Sequence, residues 1–174
     1  MTQLEQAYAQ GLYTLAQEEH IADEILQQLT VLKDTVSTQY LELLSTPALS
    51  KEERCGLLDA AFRDKVHIYV LNFMKILTEK GYIRHFSGCC HAFRQQYNED
   101  RGILQVKAVS AVELTAAQQE KLRQTLERKT GKTVQLLCAV DPGVLGGVRL
   151  DYDGVRIDGT VERRLDAVRK LLQD

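Results

Sequence analysis

The sequence predicts an α+β protein, with an all-α first part over residues 1–101 and a small α+β domain over residues 102–174. Three observations carry this reading. Apolar residues recur at helical spacing through the first hundred positions, and the period shortens to that of strands after Gly102. The charge balance also changes sign near that point: residues 1–100 hold 9 Lys+Arg against 14 Asp+Glu, whereas 101–174 hold 13 against 10.

The elements follow in order. Leu4, Tyr8, Leu12 and Leu15 lay out a first helix, and Ile21, Ile25, Leu29 and Leu32 continue the pattern after a break near His20. Ser45-Thr46-Pro47 interrupts a third, shorter segment. Ser50-Lys51-Glu52-Glu53 is a capping box, in which the Ser50 hydroxyl accepts from the Glu53 amide and the Glu53 carboxylate reaches back, so a helix through Phe62 is expected. A run from about Val66 to Lys80 ends at Gly81, suited to a left-handed cap, and another helix is expected over Ile83 to Asn98. Five or six helices with short connections imply a bundle.

Ile103 to Ala111 is apolar and β-branched enough for a strand. Thr115 to Gln118 offers a second capping box for a helix that turns Leu122 and Leu126 inward and stops at Gly131. Val134, Leu136, Cys138 and Val140 alternate as in a half-buried strand. Asp141-Pro142-Gly143 turns the chain, and Asp153-Gly154 between Tyr152 and Val155 is a two-residue hairpin signal. A last helix would present Val161, Leu165, Val168 and Leu172 on one face.

Composition and motifs exclude most chemistry. A hydrophobic share of 44% with 26% charged residues fits a globular protein, and no stretch approaches the roughly 20 apolar residues that span a bilayer. The opening MTQLEQAYAQ has neither the basic nor the apolar region of a signal peptide, which predicts a cytoplasmic protein with Cys55, Cys89, Cys90 and Cys138 as reduced thiols. Gly131-Lys132-Thr133 resembles the tail of a phosphate loop, yet Leu126 stands where that loop needs glycine, and helix precedes strand rather than following it. Asp151 and Asp153-Gly154 are better read as a hairpin than a calcium loop, because Val155 occupies a ligand position. His85 and Cys89 share a helix face, but a closed metal site needs four ligands and no CxxC accompanies them. All four histidines lie in the helical half and no GxSxG elbow occurs, so no catalytic, cofactor or metal site is expected. Arg163, Arg164, Arg169 and Lys170 form a basic cluster on the last helix, suited to an acidic protein partner or to the helix's own C-terminal dipole.

Four segments resemble a known family. Tyr8-Ala9-Gln10-Gly11-Leu12-Tyr13-Thr14-Leu15-Ala16 is similar to its opening helix, and Leu71-Asn72-Phe73-Met74-Lys75-Ile76-Leu77 with Glu79-Lys80-Gly81 is similar to its fifth. Val140-Asp141-Pro142-Gly143-Val144-Leu145-Gly146-Gly147 resembles its VDPxLIGG turn, and Val155 through Leu165 resembles VIDGSVRxRL. Together these resemble the delta subunit family of the rotary ATP synthase, whose mitochondrial relatives are the oligomycin-sensitivity-conferring proteins. The departures are Gly11 for the usual Ala, Tyr13 for Phe and Thr160 for Ser.

The resemblance implies an N-terminal all-α six-helix bundle that binds the N-terminal helices of the alpha subunits, and a C-terminal domain that binds the far end of the b-subunit peripheral stalk. It further implies a non-catalytic stator subunit, monomeric when isolated, without nucleic acid, and held at the cytoplasmic face of the cell membrane only through the complex. On these grounds Tyr8, Gly11, Leu15, Asn72 and Ile76 are candidate alpha-binding residues, and Arg163 and Arg164 candidate stalk-binding residues. The competing class is a regulatory RNA-binding or protein-adaptor module acting through the basic C-terminal half, which a steep salt dependence of RNA affinity would identify.

The failed phosphate-loop pattern gives a first prediction. The purified protein neither hydrolyses nor tightly binds ATP in a steady-state assay. Turnover above background that is abolished by Lys132→Ala overturns it.

Overall fold

The computed structural model describes residues 2–144, 146–152 and 155–158. It is a mixed α+β protein with seven α-helices and a four-stranded sheet among the described residues. The chain divides into two compact units, residues 1–97 and 98–174.

In the first unit the helices are α1 (Gln3–Glu18), α2 (Ala22–Thr35), α3 (Thr38–Ser45), α4 (Lys51–Phe62), α5 (Ile68–Glu79) and α6 (Phe86–Asp100). Their boundaries have local causes. Thr2 caps α1 in a capping box with Glu5, Ser37 caps α3, and Ser50 caps α4 in a second box with Glu53. The break near His20 is a left-handed residue (φ 59°), after which the Ile21 amide donates to the Ala16 carbonyl at 2.9 Å and closes the C-terminus of α1. His67 caps α5 through its ring, with Nδ1 accepting from the Tyr69 amide. Gly81 (φ 78°) ends α5, and the Tyr82 amide donates to the Leu77 carbonyl at 2.7 Å.

The helix expected from Ile83 starts as a 3-10 turn over Ile83–His85 and becomes α-helical only at Phe86. Ile83 is fully buried, and the Arg84 guanidinium donates to Ser45 Oγ at 2.9 Å, so the tighter turn seats one side chain in the core and ties the next to the end of α3.

Each helix of this unit contributes buried residues to one core. Leu12, Tyr13 and Ala16 of α1, Ile25, Leu29 and Leu32 of α2, Leu44, Leu58, Val70, Leu71, Met74 and Leu77, and Phe86 and Phe93 of α6 form the core. Tyr13 meets Phe93 edge to face at 5.4 Å, an arrangement that favours aromatic quadrupoles. Polar contacts fix the registers: Lys75 Nζ lies 2.7 Å from Asp59 Oδ1 between α5 and α4, Arg94 donates to Thr30 Oγ1 at 2.7 Å, and the Tyr97 hydroxyl donates to Asp23.

In the second unit β1 (Ile103–Ser110), α7 (Ala116–Thr130), β2 (Thr133–Val140), β3 (Val148–Tyr152) and β4 (Val155–Asp158) form a sheet of order β2-β1-β3-β4. β1 and β2 are parallel, Ile103 opposite Thr133 through Ser110 opposite Val140, which requires the crossover that α7 supplies. β3 is antiparallel to β1, and β4 to β3 with Tyr152 opposite Val155. The hairpin residues Asp153 and Gly154 between them lie outside the described residues, as does the last helix expected from Val161. Leu104, Val106, Leu126 and Val134 make the core here, with Leu122, Leu136, Leu150 and Tyr152 packed around them.

The alternation expected along β2 holds only at its start. Val134 is buried and Leu136 half-buried, but Cys138 and Val140 are exposed. β2 is an edge strand among the described residues, and the α7 side chains in the core, Leu122 and Leu126, pack with its first residues, so among the described residues a period-2 pattern meets a cover that does not extend along its length.

A fragment ending near residue 105 is expected to fold as an all-helical unit by circular dichroism. If it is unfolded under conditions where the full chain is folded, the two units are not independent.

Candidate functional site

α1 buries Ala9, Leu12, Tyr13 and Ala16, at spacings of three, four and seven residues. That choice sends the neighbouring stripe outward. Gly11 is exposed, Leu15 is 46% exposed, and Tyr8 is half-buried. Leu15, part of the apolar repeat in the sequence, is therefore a surface residue. Around Gly11 a Cβ would meet nothing within 4 Å, so nothing within this chain requires glycine there.

On α5, Val70, Leu71, Phe73, Met74, Leu77 and Thr78 are buried, which leaves Asn72 and Ile76 exposed one helical turn apart. Ile76 is 45% exposed. Tyr8 ties the α1 stripe to the segment following α5: its ring lies 6.1 Å from that of Tyr82, inclined at 59°. The five candidate residues thus all reach the surface of the first unit, on two helices, with Tyr8 of α1 meeting Tyr82 in the segment after α5. Arg163 and Arg164 lie outside the described residues.

The same end carries a polar cluster. The Glu5 carboxylate accepts from the Thr2 amide at 2.7 Å through one oxygen, and its other oxygen lies 3.0 Å from His85 Nδ1. The bond from the Thr2 amide, then that with His85, holds the Glu5 carboxyl below its ordinary value against the opposing effect of burial. Gly88 makes room for it, since a Cβ there would sit 2.3 Å from Glu5 Cδ. Sequence reasoning missed this cluster. Thr2 and Glu5 stand at capping-box spacing and gave a usable signal, but the pairing with His85 joins residues 80 apart.

The candidate chemical groups have structural occupations. Gly131 (φ 68°) caps α7 in the left-handed conformation and β2 follows at once, so Lys132 lies between a helix end and a strand start. Cys89 and Cys90 are buried, which pushes each thiol up to about 12, the reverse of an activated nucleophile. Asp151 Oδ1 accepts from Arg156 Nε at 2.7 Å, and its Oδ2 lies 3.7 Å from Arg149 Nε. Among the described residues no group of three or more His, Cys, Asp or Glu side chains is arranged to hold a metal, and no helix is long and apolar enough to cross a membrane.

Residues 4–172 match the family described as ATP synthase delta (OSCP) subunit. Among relatives named ATP synthase subunit delta, that of Desulfitobacterium hafniense is 31% identical over 169 residues, covering 96% of this chain and 94% of its own. That of Clostridioides difficile is 29% identical over 170 residues, covering 96% and 94%. A chain in the structure of the Toxoplasma gondii mitochondrial ATP synthase hexamer shares the fold, with a TM-score of 0.77 at 19% identity over 99% of each chain.

Glu5 yields a signed prediction. A depressed carboxyl contributes stability that is present above its ordinary value of 4.5 and lost as pH falls below it. Thermal melts should show Glu5→Gln less stable than wild type at about pH 5, with the gap narrowing steadily as pH falls below 4.5. A gap that widens on acidification overturns the assignment.

Proposed function

Because the chain belongs to the ATP synthase delta (OSCP) subunit family, a structural subunit family without an active site of its own, we propose that it acts as the stator link between the catalytic head and the peripheral stalk of a proton-translocating ATP synthase. In this reading the helical first unit, as the family's six-helix bundle, binds the N-terminal helices of the alpha subunits. The second unit binds the C-terminal ends of the b subunits, and the complex holds the protein peripherally at the cytoplasmic face of the membrane. The link keeps the head from turning with the rotor, a task that needs sustained affinity rather than turnover. Nanomolar binding corresponds to about −12 kcal/mol.

One observation supports the first half of this reading above others. The residues carried over from the family's pattern on α1 and α5, Tyr8, Gly11, Leu15, Asn72 and Ile76, reach the surface, each directly beside a buried residue of its helix: Ala9, Leu12, Ala16, Leu71 and Leu77. Leu15 and Ile76 are large apolar side chains left in water, and the absence of a side chain at Gly11 lets another helix approach α1 closely. An amphipathic helix laid along these stripes would cover both.

Gly11→Trp should block the partner helix while leaving the melting temperature nearly unchanged, because the position opens onto free space. Tyr8→Ala should cost about 2 kcal/mol or more, at least roughly thirtyfold in affinity. Ile76→Asp should weaken binding by burying an unpaired charge. Titration of each variant with a peptide of the alpha N-terminus checks all three, with thermal melts as controls. Wild-type affinity throughout overturns the site, and affinity lost together with stability reassigns these positions to the core.

For the second half, charge reversal at Arg163 and Arg164 should weaken binding to the b stalk and leave alpha binding unchanged. Unaltered stalk affinity in the double variant removes both arginines from that interface.

A further inference from the structure

The aromatic cluster just beyond α5 has no counterpart among the candidate binding residues. We propose that Tyr82 and His85 form, with Tyr8, an aromatic ledge that extends the alpha-binding surface past the end of α1's exposed stripe and receives an apolar side chain of the alpha N-terminal helix. This rests on the reading of the first unit as the alpha-binding unit.

Three features carry the inference. The first is geometry. Tyr82 lies 6.1 Å from Tyr8 and 6.4 Å from His85, ring centre to ring centre, so the three rings are contiguous. Tyr8 is the N-terminal residue of the Tyr8–Gly11–Leu15 stripe, and His85, next to Tyr82, reaches Glu5 nearer the N-terminus of α1, so the rings lie at that end of the stripe.

The second is exposure with rigidity. Tyr82 is 38% exposed and the His85 side chain 44%, and both are anchored at the backbone or by a partner. The left-handed turn at Gly81 and the bond from the Tyr82 amide to the Leu77 carbonyl set the Tyr82 backbone. Glu5 holds His85 from one carboxylate oxygen while the other caps α1 at Thr2, in space that Gly88 leaves open. Aromatic side chains on an anchored backbone, with few rotatable bonds, lose little conformational freedom on binding, and such residues recur as interface hot spots.

The third is length. Tyr8 to Leu15 covers only about 10 Å of helix axis, roughly two turns. A helix held for sustained load gains contact from a ledge that continues the same surface.

The chain contains no Trp, which makes a direct test available. In the full chain, Tyr82→Trp places a single indole on the ledge. Titration with a Trp-free peptide of the alpha N-terminus should shift its emission to the blue, at the concentrations where calorimetry reports binding. Tyr82→Ala should lose at least about tenfold in affinity while Tyr82→Phe stays near wild type. Binding by calorimetry with unmoved indole emission, or with Tyr82→Ala at wild-type affinity, overturns the ledge and leaves the alpha-binding reading standing. A wild-type chain that does not bind the peptide overturns that reading and the ledge with it.

Discussion

The burial of one stripe of α1 governs much of the first unit. Ala9, Leu12, Tyr13 and Ala16 face inward, and Tyr13 is locked edge to face against Phe93 of α6, whose side chain is fully buried. With about 100° between successive residues, fixing that stripe fixes where every other α1 side chain points. Leu15 lies two residues after Tyr13 and directly before Ala16, yet it stands in water because the helix cannot turn it inward without withdrawing those residues from the core. The candidate binding surface is thus a consequence of packing elsewhere on the same helix.

Polar contacts then determine where the ends of the elements sit. Glu5 caps its own helix and reaches His85 in the 3-10 turn before α6, and Gly88 leaves the space its carboxylate occupies. Lys75 and Asp59 hold α5 to α4, and the close cation pulls the Asp59 carboxyl below its ordinary range. These contacts are partly solvated, so each contributes modestly to stability, but each selects one register among several that apolar packing alone would tolerate. For a structural rather than catalytic subunit, a surface in a fixed register is the relevant property.

The second unit rests on a different constraint. β1 lies between β2 and β3, parallel to one and antiparallel to the other, so it must satisfy hydrogen bonds on both edges. Leu104 and Val106 of β1 are buried with Leu126 of α7 and Val134 of β2, which uses the crossover helix as the cover of that face. Cys138 and Val140 reach beyond it and are exposed.

Element types and most boundaries were legible in the sequence, because their causes are local. The Ser50–Glu53 and Thr115–Gln118 boxes, the left-handed caps at Gly81 and Gly131, and the change of period after Gly102 each act within a few residues, and the helices and strands begin and end accordingly. The surface candidates Gly11, Leu15, Asn72 and Ile76 could be named from a family pattern, but periodicity alone placed Leu15 in the apolar repeat. Its exposure was decided by which stripe of α1 meets α6. The 3-10 start of the segment at Ile83, the Glu5–His85 contact and the tilted ring contact of Tyr8 with Tyr82 likewise arise only in three dimensions. Each depends on residues far apart in the chain, whose meeting follows from packing and leaves no period, cap or spacing behind.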